Sequence, residues 1–360
     1  MRNGQDVLVY APRRYGKSSL VLTAAQRVAA EGVLVGYCDV VRATTKERLA
    51  ASIAKTIYRD IESPTGQALD RAADLFRNLR IRPTMVLDPN DASVSFSFNV
   101  STRRTDIDET IESLLELLGT LAVGRGRRVV MIFDEFQEII EIDRHLSRLL
   151  RAVFQAQPEV GHVYLGSRRH LVDTIFNDEN EPFWRSAKQL PLGPIAPSEF
   201  ARFIRRRFEE TDKDVHDEAL SRLLEITGGH PYATQELAYE LWEILRAGLA
   251  AHADDVETAL KGVLRAENSH FETLWEDAPR VQRRVMAALA LEPTASPYSE
   301  VYRRAHDLPA PSTVQTAIGA LVKKELVGRT DDGILRIAEP FLAEWIQRDQ
   351  RPPLDAQLQL

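Results

Sequence analysis

The segment Ala11-Pro12-Arg13-Arg14-Tyr15-Gly16-Lys17-Ser18 stands between a short apolar run, residues 7 to 10, and a stretch, Ser18 to Glu31, that reads as a helix closed by Gly32. A buried strand that feeds through one turn into a helix belongs to folds in which parallel strands are joined by helical crossovers. Gly16 lets the backbone curl, so that successive N–H groups and the helix N-terminus converge where the helix dipole favours an anion. The spacing is that of a phosphate-binding loop with Ala11 in place of its first glycine. On this reading residues Ala11 to Ser19 wrap the phosphates. Lys17 reaches the β- and γ-phosphates, Ser18 places its hydroxyl on Mg2+, and Ser19 acts structurally or from behind these contacts. Arg13 and Arg14 could face phosphate, pair with a neighbouring acidic loop or reach a second subunit; structural pairing is the expected role.

The second constraint is the run Val129-Val130-Met131-Ile132-Phe133, which ends in Asp134-Glu135. Two acids at the carboxyl end of a fully apolar strand match the element that manages metal and water in nucleoside triphosphatases. Asp134 is expected to hold Mg2+. Glu135, one residue further, is expected on the other side of the strand end, where it orients and deprotonates the attacking water. The strand at His162 to Gly166 ends at Ser167-Arg168, which makes Ser167 a sensor of the γ-phosphate and of that water. Arg168 either stabilises the developing charge or is a solvated residue.

The rest of the chain fits around these elements. Apolar runs at 7–10, 33–41, 129–133, 162–166 and 189–192 predict five strands, with a helix over 45–58 and another carrying Ile107, Ile111, Leu114, Leu115 and Leu118 on one face. The expected fold class is α/β: a P-loop NTPase core with a parallel sheet of the ASCE type, followed by a helical lid and a winged-helix domain. The expected domains are the core at 1–195 with an insertion at 63–105, the lid at 196–268, the winged helix at 269–350 and a tail at 351–360. Within the insertion, Ser93 to Phe98 alternates and suggests a hairpin. After Pro197 the strand pattern stops, and helices are expected at 197–210, 214–227, 231–248 and 253–268. Arg202, Arg205, Arg206 and Arg207 interleave with Phe200, Phe203, Ile204 and Phe208, which predicts a solvated arginine face. Asp331-Asp332-Gly333 between two apolar runs predicts the β-hairpin of the wing.

Composition narrows the function. Lys and Arg total 46 against 53 Asp and Glu, a net charge of −7, which argues against coating nucleic acid by bulk charge. Cys38 is the single cysteine, so an intrachain disulfide and a multi-cysteine zinc site are excluded, and a cytoplasmic home is expected. No run approaches the ~18 apolar residues of a membrane span. Magnesium carried by a nucleotide is the one metal expected.

Taken together, residues 11 to 20, Asp134-Glu135-Phe136-Gln137, residues 165 to 169 and Gly228-Gly229-His230-Pro231-Tyr232 make the chain resemble the archaeal-type ATPases of prokaryotes. These are relatives of the STAND signalling NTPases and of origin-recognition-type AAA+ proteins. The likeness covers nearly the whole chain, including the C-terminal Phe341 to Trp345. It implies ATP as the ligand, with Mg2+, and an ATP-hydrolysing molecular switch; the alternative is a nucleotide-responsive DNA-binding regulator. It also implies that Gly229 and Pro231 contact the nucleotide base. A homo-oligomer or a protein effector is the implied partner, while DNA is possible but not favoured. Members usually carry a Gly-Arg motif and a helix ahead of the P-loop strand. Here that strand begins almost at Met1, so an incomplete base pocket and poor discrimination between ATP and GTP are expected.

Overall fold

The computed structural model describes residues 4–62, 74–87, 94–98, 104–330 and 332–349. The chain divides into two compact units, Met1–Leu192 and Gly193–Leu360.

The first unit is a parallel sheet with helices on both faces. Its elements are β1 (Val7–Tyr10), α1 (Lys17–Ala30), β2 (Leu34–Asp39), α2 (Lys46–Thr56), the pair β3 (Thr84–Leu87) and β4 (Val94–Ser97), α3 (Arg104–Arg125), β5 (Val129–Asp134), α4 (Leu146–Gln155), β6 (Val160–Gly166), α5 (Arg169–Asn177) and β7 (Lys188–Pro191). The sheet order is β2-β5-β6-β1-β7, and every pairing in it is parallel. The strand carrying Ser167 at its end therefore lies between the strand that leads into the P-loop and the strand that ends in Asp134.

Burial on both faces explains why the central strands read as unbroken apolar runs. Along β5, Val129, Met131 and Phe133 enter the larger core with α2 and α3, while Val130 and Ile132 join Val21 and Ala25 of α1. On α3, Ile111, Leu114, Leu115 and Leu118 are fully buried, the single face that their spacing predicts. Truncating any of them to alanine would cost about 2–5 kcal/mol. Gly126, at φ 59°, closes this helix in the left-handed conformation, whereas Gly124 still lies inside it. Thr45 caps α2 by accepting from Arg48 N, and a wider π turn, Ile57–Glu62, continues that helix.

The hairpin expected in the insertion exists as antiparallel β3 and β4, with Thr84 opposite Ser97. Ser93, Pro64, Gly66 and Pro89 lie outside the described residues.

The second unit contains α6 (Pro197–Glu209), β8 (Asp214–Val215), α7 (Asp217–Thr227), α8 (Pro231–Ile244), β9 (Ala250–Ala251), α9 (Ala253–Glu276), α10 (Arg280–Leu291), α11 (Glu300–Ala305), α12 (Pro311–Lys323), the antiparallel pair β10 (Val327–Arg329) and β11 (Leu335–Ile337), and α13 (Pro340–Asp349). Two expectations need correction. Strand structure does not stop at Pro197, because β8 and β9 pair in parallel over two residues each, too short for an alternation to register. The helix expected to end at 268 runs on to Glu276, because Phe271 is fully buried and Leu274 and Trp275 pack against the same core. One hydrophobic cluster accordingly extends from Ile204 to Ile346. On α6, Phe200, Ile204 and Phe208 are buried and the arginines lie at the surface, where Arg202 pairs with Glu199 at 3.3 Å and Arg207 with Glu210 at 2.8 Å. In the wing, Asp331 lies outside the described residues, and Gly333 supplies a φ of 83°.

Among the described residues no helix is long and apolar enough to cross a membrane.

Candidate functional site: the carboxyl end of the parallel sheet

Ala11 leaves β1 with its N–H bonded to the carbonyl of Gly166 at 3.2 Å, which ties the loop to the end of β6. Arg14 and Gly16 then take left-handed backbone conformations, φ 63° and 76°, on either side of the buried Tyr15. Gly16 is the N-cap of α1 and has no side chain to cap the helix, so the first-turn N–H groups keep their capacity to donate to an anion. A Cβ at Gly16 would meet nothing within 4 Å. Glycine is required there by the backbone angle and not by crowding. Pro12, Arg13, Arg14 and Ser19 are exposed along the loop and the helix start.

Lys17 is 94 % buried, and its ammonium donates to the carbonyls of Ala11 at 2.9 Å and Pro12 at 3.0 Å. The lysine thus spans its own loop from the helix back to the strand end. Ser18 Oγ donates to Asp134 Oδ2 at 2.7 Å, so the serine and the first strand-end acid, far apart in the chain, are in direct contact.

Asp134 and Glu135 serve different neighbours. Asp134 Oδ2 also accepts from the phenol of Tyr37, and its Oδ1 accepts from the N–H of Glu135 at 2.9 Å. Glu135 has a φ of 52°, a left-handed conformation uncommon for a residue with a side chain. That turn sends its carboxylate towards β6. There Glu135 Oε2 accepts from Ser167 Oγ at 2.5 Å, from Ser167 N at 3.3 Å and from Gln137 Nε2 at 2.5 Å. Arg168 is the N-cap of α5, and its guanidinium lies 3.5 Å from Glu138.

Three contributors escaped the sequence reading. Tyr37, on β2, stands inside an apolar run, where a tyrosine reads as core. Its phenol is pushed upward in pKa by burial and then by the hydrogen bond and charge of Asp134, so it stays protonated and donating. The signal that could have found it is topological: β2 pairs in register with β5, Tyr37 beside Ile132 and Asp39 beside Asp134. Gln137 and Glu138 sit on the 3-10 turn Phe136–Glu138 that follows the acids.

Gly229 and Pro231 belong to the second unit and are held there by local structure. Gly229, at φ 71°, accepts from Ile195 N at 2.9 Å, and a Cβ on it would come within 2.4 Å of the Ile195 carbonyl. Pro231 is buried in the first turn of α8, behind His230, whose ring accepts from Ala233 N at 3.3 Å.

Comparison with known proteins fits this architecture. Residues 2–237 match the model for an ATPase domain predominantly from Archaea, and residues 269–348 match that for a probable winged helix domain. The chain is similar in structure to the Walker-type ATPase PABY2304 of Pyrococcus abyssi, with a TM-score of 0.63 at 17 % identity, over 95 % of this chain and 90 % of that one. It is also similar to the Aeropyrum pernix ORC2 protein in its ADPNP–ADP complexes, with a TM-score of 0.55 at 16 % identity, over 95 % of this chain and 86 % of that one. At these identities the likeness establishes the fold. No curated protein matches the chain. With the P-loop, the strand-end acids and the intervening strand in place, and with well over half its length covered by the family model, the chain belongs to the ATPase domain family found predominantly in Archaea.

Proposed function

We propose that the chain is a Mg2+-dependent ATPase that works as a slow molecular switch. One observation carries this reading: two adjacent carboxylates face two different partners. Asp134 faces Ser18 of the P-loop at 2.7 Å, and Glu135 faces Ser167 of the neighbouring strand at 2.5 Å. A protein that only bound nucleotide would have no use for the second, separately oriented acid.

The donor set fits magnesium. A serine hydroxyl and a carboxylate that touch one another are hard oxygen ligands, and Mg2+ characteristically takes one or two such groups with the rest from water and phosphate. Ser18 and Asp134 would hold the ion, which supplies charge neutralisation on the β- and γ-phosphate oxygens. The P-loop N–H groups and Lys17 hold the triphosphate. Glu135 orients a water and accepts its proton as the water oxygen bonds to the γ-phosphorus. The bond from that phosphorus to the β–γ bridging oxygen breaks, giving ADP and inorganic phosphate. Ser167 fixes the Glu135 carboxylate, and its position at the end of the strand between the two motifs suits a sensor of the γ-phosphate. Arg168, set against Glu138, belongs to the outer wall of this arrangement. For Gly229 and Pro231 we retain base contact as a proposal alongside their local structural roles.

We read residues 1–195 as the ATPase core, residues 196–268 as a lid and residues 269–350 as a winged helix, with a protein effector or a further copy of the chain receiving the output. The second reading is a DNA-binding regulator, favoured by the exposed polar face of α12. Phosphate release from Mg·ATP tests the first. Lys17→Ala is expected to abolish ATP binding, and Glu135→Gln to keep binding while turnover falls about 100-fold or more. Unchanged phosphate release in the Glu135→Gln protein defeats the assignment.

A further inference from the structure

We propose that Gln137 is a positioning residue for Glu135: its amide pins one carboxylate oxygen so that the other faces the reacting water. The inference rests on the reading of Glu135 as the group that activates water.

Gln137 is 99 % buried on the 3-10 turn after the two acids. The turn is anchored by Phe136, whose ring packs 4.6 Å from that of Tyr164 and 5.2 Å from that of Phe183. From this fixed base Gln137 Nε2 donates to Glu135 Oε2 at 2.5 Å and approaches Glu138 Oε1 at 3.4 Å, one amide hydrogen for each carboxylate. Glu138 is in turn balanced by Arg168 at 3.5 Å. The amide oxygen of Gln137 is buried without a hydrogen-bond partner. It is accommodated beside Gly166, where a Cβ would come within 3.2 Å of it. A side chain present only to fill this space could be leucine or methionine and would bury no orphaned acceptor. The NH2 end is the part the site uses.

The geometry at Glu135 gives that use. All three donors, Gln137 Nε2, Ser167 Oγ and Ser167 N, converge on Oε2. Among the described residues Oε1 accepts no hydrogen bond. With Oε2 held from two sides, the plane of the carboxylate is set and Oε1 is the oxygen left to take the proton from water. Ser167 alone would act as a pivot. Gln137 supplies the second point that stops rotation, and this matters because a misplaced base loses rate far more than it loses substrate affinity.

The test uses the full chain. Gln137→Leu and the equally long Gln137→Met are expected to lower single-turnover kcat about 10-fold while the Kd for Mg·ATP stays within about 2-fold. Thermal unfolding of each variant verifies folding, and methionine covers the case in which leucine packs badly. In the Glu135→Gln background, where no base exists to position, adding Gln137→Leu is expected to change the residual rate by less than about 2-fold. A Gln137→Leu protein with undiminished kcat overturns the proposal. So does a loss of ATP affinity matching the loss of rate, which would place Gln137 against the nucleotide, or an equal further loss in the Glu135→Gln background. If Glu135→Gln itself keeps full turnover, the assignment of the base fails instead, and the two failures are told apart.

Discussion

Tyr37 and Asp134 meet at the carboxyl end of the sheet, where the phenol of Tyr37 donates to the same Oδ2 that accepts from Ser18. The contact joins two adjacent parallel strands through their side chains. Tyr37 is fixed from its own backbone, since its carbonyl accepts from Thr56 Oγ1 at 3.0 Å and its N–H donates to Asp60 at 3.2 Å. Its hydroxyl is therefore a stationary donor. Were Ser18 to turn to the proposed magnesium ion, this donor would still orient Asp134.

Tyr37→Phe removes the hydroxyl and little else. A hydrogen bond to a charged group contributes about 1.5–3 kcal/mol at most, part of which relaxation recovers, so the Mg2+ requirement for ATP binding should rise about 3- to 10-fold. ATP binding in the absence of divalent metal should not change. Both are read by titrating Mg2+, or Mn2+ followed spectroscopically, at fixed nucleotide. An unchanged metal requirement would reduce Tyr37 to a packing residue.

The second prediction concerns stability and pH. Lys46 is 13 % exposed and lies 2.7 Å from both Asp108 and Asp143, joining α2, α3 and the turn before α4. The hydrogen bond from Lys46, then that from the His145 N–H, holds the Asp143 carboxyl below its ordinary value of 3.8. A depressed carboxyl contributes stability that is complete above the unfolded value and is lost as pH falls through the folded one. Lys46→Met should therefore cost about 1–3 kcal/mol at pH 7, and the gap to the natural protein should close as the pH is taken below 3.8. Urea unfolding at several pH values measures this. A gap that holds constant into acid would mean that the lysine stem, not its charge, supplies the stability.

What could be read in advance follows a physical division. Strands buried on both faces, such as Val129 to Phe133, announce themselves by composition, and chemistry at their ends is marked by residues that have no place in a core: Lys17 after Gly16, and Asp134 with Glu135. The hidden residues are those that serve the site from inside apolar sequence. Tyr37 reads as core until the pairing of β2 with β5 is known. Gln137 could be quoted as part of a motif, but its task depends on a 3-10 turn and on the left-handed backbone of Glu135, and a pattern of residue types carries neither. The two-residue strands β8 and β9 were illegible for another reason, since alternation needs more length than they have.

The third prediction separates two roles for Gly229. Its φ of 71° and the 2.4 Å approach of a Cβ to the rigid carbonyl of Ile195 mean that alanine meets both strain and collision, whereas at Gly228 the nearest atom is the mobile end of Arg336 at 3.6 Å. Gly229→Ala should destabilise by about 2–4 kcal/mol and Gly228→Ala by about 1 kcal/mol. Denaturant midpoints decide it. A Gly229→Ala protein of natural stability that no longer binds ATP would instead place this glycine at the base, as the family resemblance implies.

The last prediction is that the full chain binds duplex DNA weakly and without sequence preference. On α12 the side chains of Ser312, Thr313, Gln315 and Thr316 are exposed, a face able to read base edges. Affinity, however, comes from cations placed on phosphates, and here several are engaged internally. Arg284 pairs with Asp307 at 2.7 Å, and Arg348 pairs with Glu257 and Glu344 at 3.0 Å each. Arg303 donates to the carbonyls of Tyr298 and Pro309, and Arg329 to that of Gly333. Between residues 270 and 350 acids outnumber bases, so the field around the module does not draw a polyanion. Binding to a random duplex at physiological salt should have a Kd of about 1 μM or weaker, with a shallow dependence on salt because few counterions are released. Fluorescence anisotropy across a salt series, with and without ATP, measures both quantities. A nanomolar complex with one defined duplex, formed only with ATP bound, would overturn the expectation and make the regulator reading the better account of the second unit.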